Sequence, residues 1–324
     1  MIQIIKIGLV SYWPSTVRHS PPEKKHVTFV EAGVGGNCRI VKVNQGSAFH
    51  SLGPGIAAVI VISFVALGAR TGRKVLRWMP QSLWTSTISD VSYGPYPENR
   101  LDVVSPRWSD SRLLPSVVVF HGGGWQRGSR SEMRDRVCRR YLSHGFLTVN
   151  VEYRHGIRLA SEDAVRAVEW FSSRAVQYGA DPRRIVVTGE SAGAHLALLA
   201  AFQSRAAVAA VVNFYGIADL SRLSDAALLR DAIPDKDVGA VVGPLSPIAH
   251  IHPGAPPVLS LHGSADSTVL PDQSVRLTLG LRQAGGDAEV MLIDSAGHGF
   301  SPSQLESAYS EVFDFLRRRG IALT

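Results

Sequence analysis

Ser191 stands in Gly189-Glu190-Ser191-Ala192-Gly193, directly after the β-branched run Ile185 to Thr188 and directly before His195-Leu196-Ala197-Leu198-Leu199. A serine at a sharp turn between strand and helix is held in a strained backbone conformation with its Oγ exposed at the end of a sheet. Glycines two positions to either side relieve the crowding of strand against helix. The chemistry this placement serves is nucleophilic attack on an acyl carbon. Taken by itself the motif carries little weight, because a chain with 30 glycines matches it about 0.3 times by chance. A serine that merely caps the following helix looks the same locally.

Acyl transfer also needs donors for the developing oxyanion, a base and an acid, and candidates for each are present in order. His121-Gly122-Gly123-Gly124-Trp125 follows an apolar run ending at Phe120. Its glycines allow backbone N–H groups to point inward, and each such donor is worth on the order of 10²-fold to 10³-fold in rate. Gly123 and Gly124, with Ala192 after the serine, are the expected donors, and His121 is expected to brace the loop rather than to move protons. Asp266, in His262-Gly263-Ser264-Ala265-Asp266, and His298, in Gly297-His298-Gly299-Phe300, complete a Ser, Asp, His order that sheet-borne triads of this kind use. Asp219 is the rival for the acid, and Asp294, nearer His298 in sequence, is the third candidate. This chemistry calls for no cofactor and no metal; His250 and His252 have no acidic or cysteine partner at a ligand spacing,.

The elements that must position these residues are legible from residue 88 onward, where apolar runs alternate with amphipathic ones as in a βαβ sheet. Strands are expected at 116–120, 147–152, 185–188, 208–213, 258–262 and 289–293. One amphipathic helix is expected to begin at Ser161-Glu162-Asp163, with Val165, Val168 and Trp170-Phe171 on its inner face. A second carries Val312, Phe313 and Leu316 near the C-terminus,. The domain organisation follows: a poorly ordered region over 1–53, a hydrophobic run with a basic flank over 54–85, and a catalytic domain over 86–324.

Composition narrows the function classes. The net charge of +7 is unevenly spread: residues 1–85 hold ten Lys/Arg against two Asp/Glu, whereas residues 86–324 hold 24 against 25. A nucleic-acid-binding fold needs a basic face on the fold itself, so no nucleic-acid partner is expected. The two cysteines, Cys38 and Cys138, suggest free thiols rather than a disulfide framework. Residues 55–69 form an uncharged run followed by Arg70, Arg73, Lys74 and Arg77. As a helix the run would extend about 22 Å, short of a hydrocarbon core near 30 Å. A short membrane anchor, a signal-peptide core and a buried element of the fold all fit it. The run begins more than 50 residues from Met1, far for a signal peptide. A translation start nearer the run would reconcile the two and make residues 1 to about 45 foreign to the native protein.

With these motifs in order, the stretch from Val91 to Arg318 resembles the hormone-sensitive-lipase-like and feruloyl-esterase-like carboxylesterases, a group that includes the kynurenine formamidases. The resemblance is carried by Tyr93-Gly94, Leu101-Asp102-Val103-Val104, His121 to Trp125, Glu152-Tyr153-Arg154, Gly189 to Ala197, His262 to Asp266 and Gly297 to Phe300. It implies an α/β-hydrolase fold, a mostly parallel twisted sheet with helices on both faces and a small helical cap. It further implies a serine carboxylesterase acting on a small-molecule ester through Ser191, Asp266 and His298. An amidase or arylformamidase with the same triad is the alternative, and a catalytically silent ligand-binding relative is the alternative of another class. Two stretches depart from the pattern: His155-Gly156-Ile157-Arg158 is short, and the cap, placed at about 217–250 with a helical patch from Leu223 to Ile233, lacks a signature. The apolar residues Leu228, Leu229, Ile233, Val238, Val241 and Val242 there fit an acyl or alcohol pocket and, equally, packing onto the domain. Oligomeric state is not legible.

Overall fold

Strands form where the apolar pattern repeats every second residue on both faces of a sheet. In the computed structural model, Val118 and Phe120 join one core cluster while Val117 and Val119 join the other, and Ile185 and Val187 are split from Val186 in the same way. Burial on both faces is what a parallel sheet between two helical layers demands. The structure describes residues 26–32, 38–44, 80–107, 112–223, 233 and 242–322. The chain divides into two compact units, Met1–Ala69 and Arg70–Thr324.

In the first unit, β1 (His26–Ala32) and β2 (Cys38–Asn44) pair antiparallel, His26 opposite Asn44 and Ala32 opposite Cys38. Val27, Thr28, Val30, Ile40, Val41 and Val43 supply β-branched residues that suit strands,, a signal the glycine-rich 33–36 interrupts. The run 55–69 and its basic flank lie outside the described residues. Among those described, no helix is long and apolar enough to cross a membrane.

The second unit is built on one eight-stranded sheet of order β10-β9-β8-β7-β5-β6-β4-β3. Its strands are β3 (Thr85–Ser92), β4 (Arg100–Pro106), β5 (Leu114–Phe120), β6 (Leu147–Val151), β7 (Ala180–Glu190), β8 (Val208–Phe214), β9 (Val258–Gly263) and β10 (Ala288–Ile293). All neighbours from β6 to β10 are parallel, and β4 runs antiparallel to both β3 and β6. The six expected strands are all present. The antiparallel pair β3 and β4 is additional, and β3, an edge strand, is largely exposed and so lacks an apolar rhythm,.

On one face lie α2 (Ile157–Ser172), α3 (Ala192–Gln203) and α4 (Asp272–Gln283); on the other lie α1 (130–142) and α5 (Pro302–Arg318). α1 widens to a π turn over Arg134–Cys138. The expected start of α2 at Ser161 is wrong by one turn: the helix begins at Ile157, after Gly156 with φ 92°. Ser161 instead donates its hydroxyl to Ile157 O at 2.6 Å, and the buried Asp163 accepts from Arg154 Nε at 2.9 Å and Arg166 Nη1 at 2.9 Å. Residues that resemble a cap are here spent on bonds within the helix and to the loop just before it. α5 does start on a capping box, Ser301 with Gln304, and buries Val312, Phe313 and Leu316 as expected,.

Of the expected cap at 217–250, the helical patch 224–232 and residues 234–241 lie outside the described residues. The described parts are two short 3-10 turns, Leu220–Arg222 and Pro247–His250. Ile233 and Val242 pack against the core cluster that contains Leu277 and Leu281.

Candidate functional site

The strand order reverses direction at β5: β6 lies on one side of it and β7 on the other. In open α/β sheets the crevice beyond the carboxyl ends at such a point is where ligands bind. Phe120 of β5 lies level with Gly189 of β7, so the loop His121 to Trp125 emerges beside the turn that carries Ser191.

That turn is tight. Ser191 has φ 55° and ψ −121°, a region an L-residue rarely adopts and one that concentrates at functional sites. A Cβ on Gly189 would come within 2.3 Å of the Gly193 backbone, and a Cβ on Gly193 within 2.3 Å of Phe120 O. Both positions therefore exclude any side chain. The turn is pinned by Ser191 N donating to Phe214 O at 3.0 Å and by Ser191 O accepting from Ala194 N at 3.0 Å.

The structure brings Ser191, His298 and Asp266 into one line. His298 Nδ1 lies 2.7 Å from Asp266 Oδ2 and Nε2 lies 2.9 Å from Ser191 Oγ. The carboxylate can only accept, so Nδ1 carries the proton and Nε2 is free to accept from the serine hydroxyl. Asp266 is buried and also accepts from Thr268 N at 2.9 Å and Val269 N at 3.0 Å. Burial pushes its carboxyl up, but hydrogen bonds from His262, His298 and Val269 outweigh that and hold it well below the usual carboxylate range,. Asp219 is elsewhere: it caps a 3-10 turn by accepting from Ser221 N at 3.1 Å and faces Arg276. Asp294 bonds Ser295 at the end of β10.

The loop from His121 to Trp125 has its own support. Gly123 has φ 118° and Gly124 φ 62°, and a Cβ on Gly123 would come within 2.0 Å of Arg127 O. Among the described residues, the amides of Gly123, Gly124 and Ala192 meet no backbone acceptor. His121, fully buried, is 2.8 Å from Gly122 O through Nδ1 and 2.9 Å from Glu152 Oε1 through Nε2, and stacks on Tyr153 at 4.0 Å. Glu152 in turn accepts from Arg130 N at 3.1 Å. The expected bracing role agrees with this geometry.

Residues with no functional signal in the sequence complete the site. His195 is buried, with Nε2 2.8 Å from Leu245 O and Nδ1 accepting from Trp125 Nε1 at 3.2 Å, so the helix after the serine is tied to the loop from His121 to Trp125. Burial lowers its pKa to about 4, which keeps it neutral. His262 places Nε2 3.3 Å from the same Asp266 oxygen that His298 uses. Arg136 pairs with Glu190; Arg140 pairs with Glu306 at 2.8 Å, and Arg139 lies over Trp84. These arginines of α1 are partnered while Arg136 keeps half of its side chain exposed. Cys138 is a buried free thiol pushed up to about 12 by burial. Among the described residues no cluster of three or more His, Cys, Asp or Glu could hold a metal ion.

The groups converge on a cavity of about 470 Å³ lined by Gly122, Gly123, Gly124, Ser191, Tyr215 and His298, together with Arg127, Glu132, Arg136 and Glu190. The sequence of residues 101–281 matches the BD-FAE family. The chain belongs to the BD-FAE family. Within curated relatives, it is 30% identical over 234 residues to esterase LipQ of Mycobacterium tuberculosis, covering 64% of this chain and 55% of LipQ. It is 32% identical over 221 residues to the probable carboxylic ester hydrolase LipM of the same organism, covering 60% of this chain and 51% of LipM. The chain thus spans about half the length of these relatives. Among solved structures, the truncated carbohydrate esterase from gut microbiota aligns with a TM-score of 0.66 at 22% identity, covering 73% of this chain and 96% of that one. The BD-FAE chain accordingly has the α/β-hydrolase fold, with an eight-stranded, mostly parallel sheet.

Proposed function

We propose that the chain is a serine carboxylesterase that hydrolyses small to medium carboxylic esters through an acyl-enzyme. The observation that carries this reading is the unbroken line from Asp266 through His298 to Ser191, with spacings of 2.7 Å and 2.9 Å. His298 Nε2 takes the proton as Ser191 Oγ attacks the ester carbonyl, and the oxyanion meets the N–H groups of Gly123, Gly124 and Ala192. The imidazolium then gives its proton to the departing alkoxide, which leaves as the alcohol. Water, deprotonated by His298, attacks the acyl-enzyme and releases the acid with Ser191 restored. Relatives named as esterases support the same reaction class.

The test is hydrolysis of p-nitrophenyl esters of increasing acyl length by the parent chain and by Ser191→Ala, with an N-formyl anilide alongside. The expected result is turnover of the esters that is lost in the alanine variant. Turnover that survives in Ser191→Ala overturns the proposal, and a preference for the N-formyl substrate moves it to the amidase class.

A further inference from the structure

Glu190 and Tyr215 are costly residues that the mechanism above does not use. Glu190 precedes the serine and is only 6% exposed, and Tyr215, 8% exposed, has φ 41° although it is not glycine. A buried carboxylate needs partners to persist, and a left-handed tyrosine needs its surroundings to hold it. Glu190 pairs with Arg136, and the Tyr215 hydroxyl, like Arg136, favours its carboxylate against the rise that burial imposes. Tyr215 is anchored through its N–H to Leu261 O at 2.8 Å, and the next residue, Gly216, donates to Asn213 Oδ1 at 3.0 Å.

The ring so held faces His298. Its centroid lies 5.0 Å from the imidazole at 64°, and Phe300 backs it at 5.1 Å and 83°. His298 sits between Gly297 and Gly299, the latter with φ 132° and donating its N–H to Gly297 O at 2.9 Å, so the turn fixes the backbone and leaves the orientation of the imidazole to its side-chain neighbours. The Asp266 bond fixes Nδ1, yet the imidazole could still swing about that bond and carry Nε2 away from Ser191. A tyrosine ring packed against the imidazole at this angle resists that swing. Resting on the assignment of Ser191, His298 and Asp266 as the reacting line, we propose that Tyr215, clamped by Glu190, is the positioning residue that keeps the His298 imidazole aligned on Ser191. The charged and titratable groups that act on Glu190 are Arg136, Tyr215, His298 and, from α5, Tyr309; those that act on His298 are Asp266, Glu190 and Tyr215.

The experiment measures kcat and KM against pH for p-nitrophenyl butyrate, together with the rate of Ser191 labelling by a fluorophosphonate, in the full chain. Variants are Tyr215→Ala, Tyr215→Phe and Glu190→Gln, with Ser191→Ala as control and thermal midpoints recorded. A misaligned base costs about 10²-fold, so Tyr215→Ala should lose about that in kcat and in labelling rate with KM within twofold. Tyr215→Phe, which keeps the ring and loses the clamp, should recover at least tenfold of that loss. Glu190→Gln should move the acid limb of kcat/KM to lower pH, because a carboxylate that favours the imidazolium is gone. If Tyr215→Ala does not fold, Tyr215→Phe and Glu190→Gln decide: parental kcat and an unmoved acid limb in both overturn the proposal. Parental kcat in a folded Tyr215→Ala also overturns it while leaving the triad reading intact. Labelling and turnover that persist in Ser191→Ala overturn the triad reading itself and this inference with it.

Discussion

His298 and His262 share one oxygen: Oδ2 of Asp266 lies 2.7 Å from His298 Nδ1 and 3.3 Å from His262 Nε2. His262 also meets Val269 O at 2.8 Å and Ser274 Oγ at 2.7 Å. The carbonyl can only accept, so Nε2 carries the proton and Nδ1 accepts from the serine. The acid is thus held from two sides. Asp266→Asn should reduce kcat by roughly 10⁴-fold by allowing the wrong His298 tautomer. His262→Phe removes one hydrogen bond to a charged group, worth about 1.5–3 kcal/mol, and should cost far less in turnover. Steady-state kinetics of the two variants decide; a milder loss in Asp266→Asn than in Asp219→Asn would return the acid role to Asp219.

Stability should fall with acid in two separable windows. His195 has a folded pKa lowered by burial to about 4 from 6.5. Its contribution is therefore fully present above pH 6.5 and lost as pH falls towards 4, on the order of 3 kcal/mol in all. Asp266 is also lowered, and what it contributes is present above the ordinary carboxylate range and lost only below it,. Urea midpoints between pH 4 and 7 should show a slope that flattens in His195→Gln. An unchanged slope in that variant would remove His195 as its source.

Gly193→Ala is expected to be among the least tolerated single-methyl additions. The new Cβ would approach Phe120 O and His121 O at 2.3 and 2.4 Å, where both neighbours are backbone and cannot move aside. Overpacking costs about 1–3 kcal/mol when neighbours can shift, and here the turn itself must open. Thermal midpoint and ester turnover should both drop; a variant with parental values would show that the turn is slacker than its φ implies.

His121→Gln should act on rate rather than on binding. The imidazole links Gly122 O to Glu152, and a loop displaced by about 1 Å can cost 10²-fold. We expect kcat to fall by up to about that factor with KM little changed. A rise in KM at constant kcat would place His121 in substrate binding instead.

Much of this was legible without coordinates. The six central strands announce themselves because burial on both faces forces continuous apolar runs, as in Val117 to Phe120,. β3 did not, since an exposed edge strand imposes no apolar rhythm. The start of α2 is not legible at Ser161-Glu162-Asp163 because cap-forming residues also bond helix carbonyls and nearby side chains, and only the position of Arg154 tells which.

The order Gly189 to Gly193, His121 to Gly124, Asp266 and His298 is a property of the sequence, because steric limits at a strand-to-helix turn and the need for inward N–H groups select residue types locally. The tertiary structure alone decided which aspartate meets His298, and it alone set Tyr215 against that imidazole with Glu190 behind it. Such pairings depend on how loops from β8, β9 and β10 project from a common sheet edge, and that distance is written in strand register and loop path rather than in spacing along the chain.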